Sequence, residues 1–303
     1  MADPLISVVI TTYNRCKLLE RAILSVVDQT YKNLEIIVAD NHSTDGTEEL
    51  CKKFVQNDRR IKYYRHEKNI GMSGNATFAN KQTTGKFVHV LCDDDWIDSD
   101  FIETCYKIIQ KHPKYSFVCP TVLIENSEGQ VLSKAKLVNL ECENICDRIK
   151  NYVYAVKNHS SITNGLLRNE ITKAMLNEDG FVINKRFADD WIYVIKHLIA
   201  GKCKMTDKTH YHKLDNGYTS NLKAMIDLWE DPSLTYENFY PNVLRSIKDA
   251  LFNDNFCKNR LSKKYRELCY KKAQEGMFNS YGVNNLKNVL NFIKNYFLIG
   301  YGD

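Results

Sequence analysis

Leu5-Ile6-Ser7-Val8-Val9-Ile10 and Leu34-Glu35-Ile36-Ile37-Val38-Ala39 are short apolar runs rich in Val and Ile, the pattern of strands buried on both faces of a sheet. Between them Leu19, Ala22, Ile23, Val26 and Val27 recur at helical spacing. Together they predict a βαβ unit and a mostly parallel sheet flanked by helices. Farther out, Asp45 followed by Glu48 resembles a helix N-terminal capping pair, with Leu50, Cys51, Phe54 and Val55 as the apolar stripe behind it. Ile61 to Arg65 and Lys86 to Cys92 read as strands. Phe101, Ile102, Cys105, Ile108 and Ile109 form a helix stopped before Pro113, and Tyr115 to Ile124 is a further strand. The segment from Asn139 to Asn158 is polar and shows no clear period. The sheet is expected to resume at Ile162 to Leu167 and around Met205 to His212, on either side of the stretch Phe187 to Ile199. Beyond about Asn221 only helical stripes occur, such as Leu244, Ile247, Leu251 and Leu286, Val289, Leu290, Ile293, Phe297.

With 44% hydrophobic and 26% charged residues over 303 positions, the chain reads as a soluble globular protein with an α/β domain and a helical C-terminal region. No apolar run approaches the roughly 18 to 20 residues of a membrane span, and Leu5 to Ile10 lacks the length and preceding charge of a signal peptide. A cytoplasmic protein is expected. The ten cysteines contain no Cys-x-x-Cys and are expected as buried thiols rather than a disulfide or zinc framework. Residues 241 to 303 hold 11 Lys and Arg against 5 Asp and Glu, so the overall charge of +5 resides in the C-terminal fifth.

Ligands of open α/β sheets bind beyond the carboxyl ends of the strands. Three such ends carry unusual polar groups here: Thr11-Thr12-Tyr13-Asn14-Arg15, Asp40-Asn41-His42-Ser43 and Asp93-Asp94-Asp95. Three adjacent carboxylates repel one another unless a cation is supplied, and oxygen ligands select Mg²⁺ or Mn²⁺. The same triplet also reads as a solvated acidic turn before a helix starting near Asp98. Neither Gly-x-Gly-x-x-Gly nor a P-loop occurs, which argues against a dinucleotide oxidoreductase and a P-loop NTPase.

Ser7-Val8-Val9-Ile10-Thr11-Thr12-Tyr13-Asn14-Arg15, the run Ser25 to Asp40, Ser43-Thr44-Asp45-Gly46-Thr47, Asn69-Ile70-Gly71-Met72-Ser73-Gly74-Asn75, Gly85-Lys86-Phe87 and Asp93-Asp94-Asp95-Trp96 together resemble the inverting family-2 glycosyltransferases of GT-A fold. The resemblance implies a nucleotide-sugar donor. Tyr13 would stack on its base, with Thr11 and Asp40 on the base edge, an arrangement that favours UDP. Arg15 would approach the base or phosphates, or stand solvated at a helix start, and Asn75 would join the donor site. In the family's Asp-x-Asp metal signature Cys92 then replaces the first Asp, Asp94 is the ligand for Mn²⁺ or Mg²⁺, Asp95 follows it and Asp93 lies nearer the ribose. Read literally, Asp93 and Asp95 form the motif.

Phe187-Ala188-Asp189-Asp190-Trp191 resembles the family's acidic pair at a helix start, which implies Asp190 as the base for an acceptor hydroxyl and Asp189 as a residue that orients it or contacts the acceptor; the pair also reads as a plain helix cap. His212 or Lys213 would meet the metal or diphosphate. The resemblance implies a GT-A domain over residues 1–220, with a nucleotide half (1–105) and an acceptor half (106–220), then a helical region (221–303). The acceptor would be a glycan or lipid-linked glycan, with no nucleic acid involved. The basic tail, with Lys258, Arg260, Lys263, Lys264, Arg266, Lys271, Lys272, Lys287 and Lys294, reads either as a packed appendage with a solvated face or as a peripheral membrane contact. Two rivals to the transferase are a non-catalytic nucleotide-sugar binding protein and a sugar nucleotidylyltransferase. The latter needs a Gly-rich loop after its first strand, which this sequence lacks.

Overall fold

The computed structural model describes residues 3–156, 164–179, 189–215 and 239–281. Strands β1 (Ile6–Thr12), β2 (Leu34–Asp40), β3 (Ile61–Arg65) and β4 (Phe87–Cys92) lie parallel in the order β3-β2-β1-β4. The sheet continues through the short β8 (Leu166–Arg168), antiparallel to both β4 and β6 (Tyr115–Glu125). Next to β6 runs β9 (Lys202–Leu214), parallel to it, and the two-residue β5 (Trp96–Ile97) ends the sheet against β9. A hairpin strand β7 (Val131–Lys134) extends β6.

Each side of the sheet has its own core, because alternate residues of a strand point to opposite faces. Ile6, Val8 and Ile10 of β1 pack against α1 (Cys16–Val27), α2 (Thr47–Asn57) and α4 (Phe101–Ile109) through Leu19, Ile23, Cys51, Phe101 and Ile102. Val9 and Ile37 face the other way, toward α3 (Gly71–Gln82), α5 (Ile145–Val156), α6 (Asn169–Asp179) and α7 (Asp189–Ala200). Three C-terminal helices, Phe239–Asn253, Asn255–Arg260 and Lys263–Tyr281, add Val243, Ile247, Leu251, Phe256, Cys269 and Ala273 to that second core. The helical region therefore shares its interior with the sheet.

The mostly parallel sheet and its strands β1, β2, β3, β4 and β6 follow the apolar runs of the sequence. Other elements differ. Asp45 does serve helix starts, accepting from the backbone N of Cys16 at 2.9 Å and from Thr47, but Glu48 pairs with Lys52 at 2.7 Å and Arg65 at 3.2 Å instead of closing a capping box. The unassigned polar segment contains α5, whose buried Cys146, Ile149, Tyr152 and Val153 lie along one side. The helix expected near Asp98 starts at Phe101, because Asp98 is engaged by His210 and His212. Not every cysteine is a free thiol: Cys146 of α5 is disulfide-bonded to Cys269, while Cys51, Cys105, Cys119, Cys203 and Cys257 are free and buried. Lys258, Arg260, Lys263, Lys264 and Lys271 are exposed on the packed helices; Lys287 and Lys294 lie outside the described residues. Among the described residues no helix is long and apolar enough to cross a membrane.

Candidate active site

The chain leaves β1 toward β2 on one side, whereas β4 joins β1 on the other, so the strand order reverses between β1 and β4. A crevice opens at the carboxyl ends at such a point. Thr11, half-buried, is in register with Cys92 across this pair, and Tyr13, just beyond β1, is 45% exposed. The loop carrying Tyr13 is fixed by Asn14, which takes the left-handed conformation (φ 53°) that Asn tolerates better than most residues. Its backbone N donates to Ser43 Oγ at 2.9 Å, and its side-chain oxygen accepts from the backbone N of Thr44 at 2.8 Å. The ends of β1 and β2 are thereby locked together.

The acidic triplet divides its work. Asp93 is buried, and desolvation raises its pKa although Arg15 stands beside it. Arg15 Nη1 lies 2.9 Å from Asp93 Oδ1 and 2.9 Å from Asp94 Oδ2. Asp95 is also buried and accepts from Tyr211 Oη at 2.6 Å and from the backbone N of Leu214 at 3.1 Å, tying the triplet to β9. Burial and the neighbouring Asp94 push its pKa up to about 7. Arg21 donates to the Asp94 carbonyl at 2.8 Å and covers the Trp96 ring at 3.7 Å. The repulsion that seemed to demand a metal is thus offset in part by the chain's own arginines. A divalent ion still fits: ligand atoms of Cys92, Asp94 and Asp95 lie within 4.8 Å of one another, and the pKa of Asp95, raised first by burial and then by Asp94, leaves a carboxylate that a cation would help to ionise. Two carboxylates suit Mn²⁺ or Mg²⁺, and the thiol is a softer donor than the oxygen it stands in for.

Asp190 occupies the first turn of α7, where its carboxylate accepts from its own backbone N–H and that of Trp191. It is exposed, yet desolvation by the surrounding protein pushes its pKa up to about 6 against these N–H groups and Lys213. Lys213 of β9 acts electrostatically on Asp190, Asp95 and Cys92 alike. The start of α7 and the end of β4 therefore both feel the charge of one ammonium group.

Thr11, Tyr13, Arg15, Asp93, Asp94 and Asp95 thus gather at the crevice, and Lys213 links them to Asp190. Asp189 forms the first residue of α7. Three expected residues are turned elsewhere. Asp40 has no exposed surface and accepts from the backbone N of Ser43 at 2.8 Å and Tyr63 Oη at 2.7 Å, so it braces its own turn instead of offering an edge to a base. Asn75 is buried between Ala39 O, 2.8 Å away, and His66 Nε2 at 3.0 Å, where it pins α3 to β2. His212 lies between Glu125 Oε1 at 2.5 Å and Asp98 Oδ1 at 2.8 Å and stacks on Trp96, so neither ring nitrogen is directed to the triplet. Arg21 was not legible as a site residue: a lone cation on an amphipathic helix carries no signal until Trp96 and Asp94 are folded beside it.

The model of glycosyl transferase family 2 matches residues 7–176. Glycosyltransferase GlyA of Streptococcus pneumoniae is 36% identical over 129 residues, 43% of this chain and 18% of that protein. The GalNAc(5)-diNAcBac-PP-undecaprenol beta-1,3-glucosyltransferase of Campylobacter jejuni is 39% identical over 130 residues, 42% of this chain and 41% of that one. The match thus spans less than half the length of these curated relatives. Among solved structures, S. aureus TarS 1-349 in complex with UDP-GlcNAc superposes with a TM-score of 0.65 at 18% identity, over 96% of this chain and 80% of that one, a likeness of fold. The sheet with its flanking helices and helical C-terminal region is the GT-A fold. With more than half of its length matched by the family model, the chain belongs to glycosyl transferase family 2.

Proposed function

We propose that the chain is a metal-dependent inverting glycosyltransferase that moves a sugar from a UDP-sugar to a hydroxyl of a growing glycan or lipid-linked glycan, such as a bacterial surface polysaccharide. The observation that carries this reading is that Asp190, a carboxylate with its pKa raised to about 6, and Asp95 of the acidic rim both lie in the field of Lys213, beside the Cys92, Asp94 and Asp95 ligand cluster. The UDP-GlcNAc bound by TarS and the undecaprenol-linked substrate in the name of the Campylobacter jejuni relative support the donor and acceptor classes.

In this mechanism Asp190 accepts the proton of the acceptor hydroxyl. The hydroxyl oxygen then bonds to the anomeric carbon from the face opposite the diphosphate, and the carbon–oxygen bond to the diphosphate breaks with its electron pair on the leaving oxygen. Tyr13, exposed at the end of β1, offers a ring for the base, and Thr11 lies beside it. Asp94, with Asp95 and Cys92 near it, would hold Mn²⁺ or Mg²⁺, which supplies positive charge against the leaving diphosphate. Lys213 adds a second positive charge on the same side of the cleft.

UDP release from a panel of UDP-sugars, with and without EDTA, tests the reading. Release that stops with EDTA and is lost in folded Asp190→Asn supports it. UDP-sugar binding with no turnover in either protein favours the non-catalytic binding module.

A further inference from the structure

We propose that Arg15 is the internal counter-cation of Asp94 and competes with the divalent ion for that carboxylate until a nucleoside diphosphate draws the guanidinium away. The inference rests on the metal-and-donor reading above and adds an order to it: ion and nucleotide load together.

One nitrogen of Arg15 spans Asp93 Oδ1 and Asp94 Oδ2 at 2.9 Å each. The three side chains are only 19%, 8% and 14% exposed, so the pairing is partly shielded from water and is stronger than a surface ion pair. A divalent ion on Asp94 would meet this guanidinium at the same carboxylate, and two cations there repel unless a further anion is added. A diphosphate is such an anion, and the planar guanidinium matches phosphate oxygens in a fork.

The position of Arg15 makes that exchange feasible. It is the N-cap of α1, two residues beyond Tyr13, so a nucleotide whose base rests on Tyr13 would bring its diphosphate to the same loop. Arg15 therefore has an alternative anion on its own side of the crevice. The triplet does not have to follow, because Arg21 holds the Asp94 carbonyl and Asp95 is fastened to Tyr211 and Leu214. Only one side chain moves.

The test titrates Mn²⁺ into the full chain and reads free Mn²⁺ by electron paramagnetic resonance, alone and with saturating UDP. In the wild type, UDP is expected to tighten Mn²⁺ binding at least about tenfold. In Arg15→Gln, Mn²⁺ alone is expected to bind about tenfold tighter than in the wild type, the scale of one hydrogen bond to a charged group, and the enhancement by UDP shrinks. Should the Gln variant not fold, Arg15→Lys takes the same measurement; the shorter lysine side chain brings its ammonium less close to the two carboxylates, so Mn²⁺ again binds more tightly, by a smaller factor. Unchanged or weaker Mn²⁺ binding in the folded variant overturns the Arg15 proposal while leaving the metal site standing. A wild type that binds UDP but no Mn²⁺ under either condition overturns both.

Discussion

A carboxylate at a helix N-terminus is ordinarily kept ionised by the backbone N–H groups it faces, yet the protein around Asp190 raises its pKa to about 6. A base must be deprotonated to act, so kcat/KM is expected to fall as pH drops through about 6 and to level off above it, measured as UDP release from pH 5 to 8. Asp190→Asn removes the proton acceptor while keeping the shape, and transfer should drop at least about a hundredfold with UDP affinity nearly unchanged. The place of Asp190 at a helix start was legible because an Asp-Asp-Trp run opening a helix is a specific pattern. Asp40, Asn75 and His212 were not, because residue type discloses a charge or a donor but not the direction it faces. The sequence shows Asp40 at a strand end; only the fold shows Ser43 and Tyr63 already on its carboxylate.

Between elements, Glu35 does in β2 what its apolar neighbours cannot. Its carboxylate accepts from Ser7 Oγ of β1 at 2.6 Å, from Lys62 Nζ of β3 at 2.9 Å and from the backbone N of Gly85, just before β4, at 3.0 Å. Burial alone would raise its pKa, but Ser7, Lys62 and Thr84, which donates through both its backbone N and its hydroxyl, hold it down at about 2. Because the folded value is depressed, the stabilisation is present above the ordinary value of 4.5 and is lost as pH falls toward about 2. Glu35→Gln should cost about 3 kcal/mol at pH 7 by urea unfolding, with the difference from wild type closing in acid. Gly85→Ala places a Cβ 2.6 Å from the backbone N of Ser7, and should cost about 1 to 3 kcal/mol in the same measurement. Elements with a strong period, β1, α1, β2 and α4, were visible in the sequence. α3 was not, since its buried residues, Asn75, Ala79 and Asn80, include two amides and only one apolar side chain. The continuation of the sheet through β8 and its end at β5 were equally hidden, because two- and three-residue strands have no periodicity to detect.

At the scale of the molecule, the C-terminal helices are built into the core behind α7, the helix that presents Asp190. Lys196 of α7 and Asp254, just before the helix Asn255–Arg260, form a buried pair at 2.8 Å, and Cys146 of α5 is bonded to Cys269. Removing one partner of a buried pair strands the other, so Asp254→Ala should cost about 3 to 5 kcal/mol in denaturant unfolding. The helical character of residues 239–281 was readable from their apolar stripes, but the interior they share with the sheet was not, since contacts between distant segments leave no local pattern. The central claim is that the rim of β1 and β4 completes itself with a divalent ion and a uridine diphosphate. Calorimetric titration of UDP into the wild-type chain, in Mn²⁺ and again in EDTA, tests it most directly. At least about tenfold tighter binding in Mn²⁺ is predicted, the scale of one charge-assisted contact; equal affinity in the two buffers, or no binding in Mn²⁺, would contradict the account.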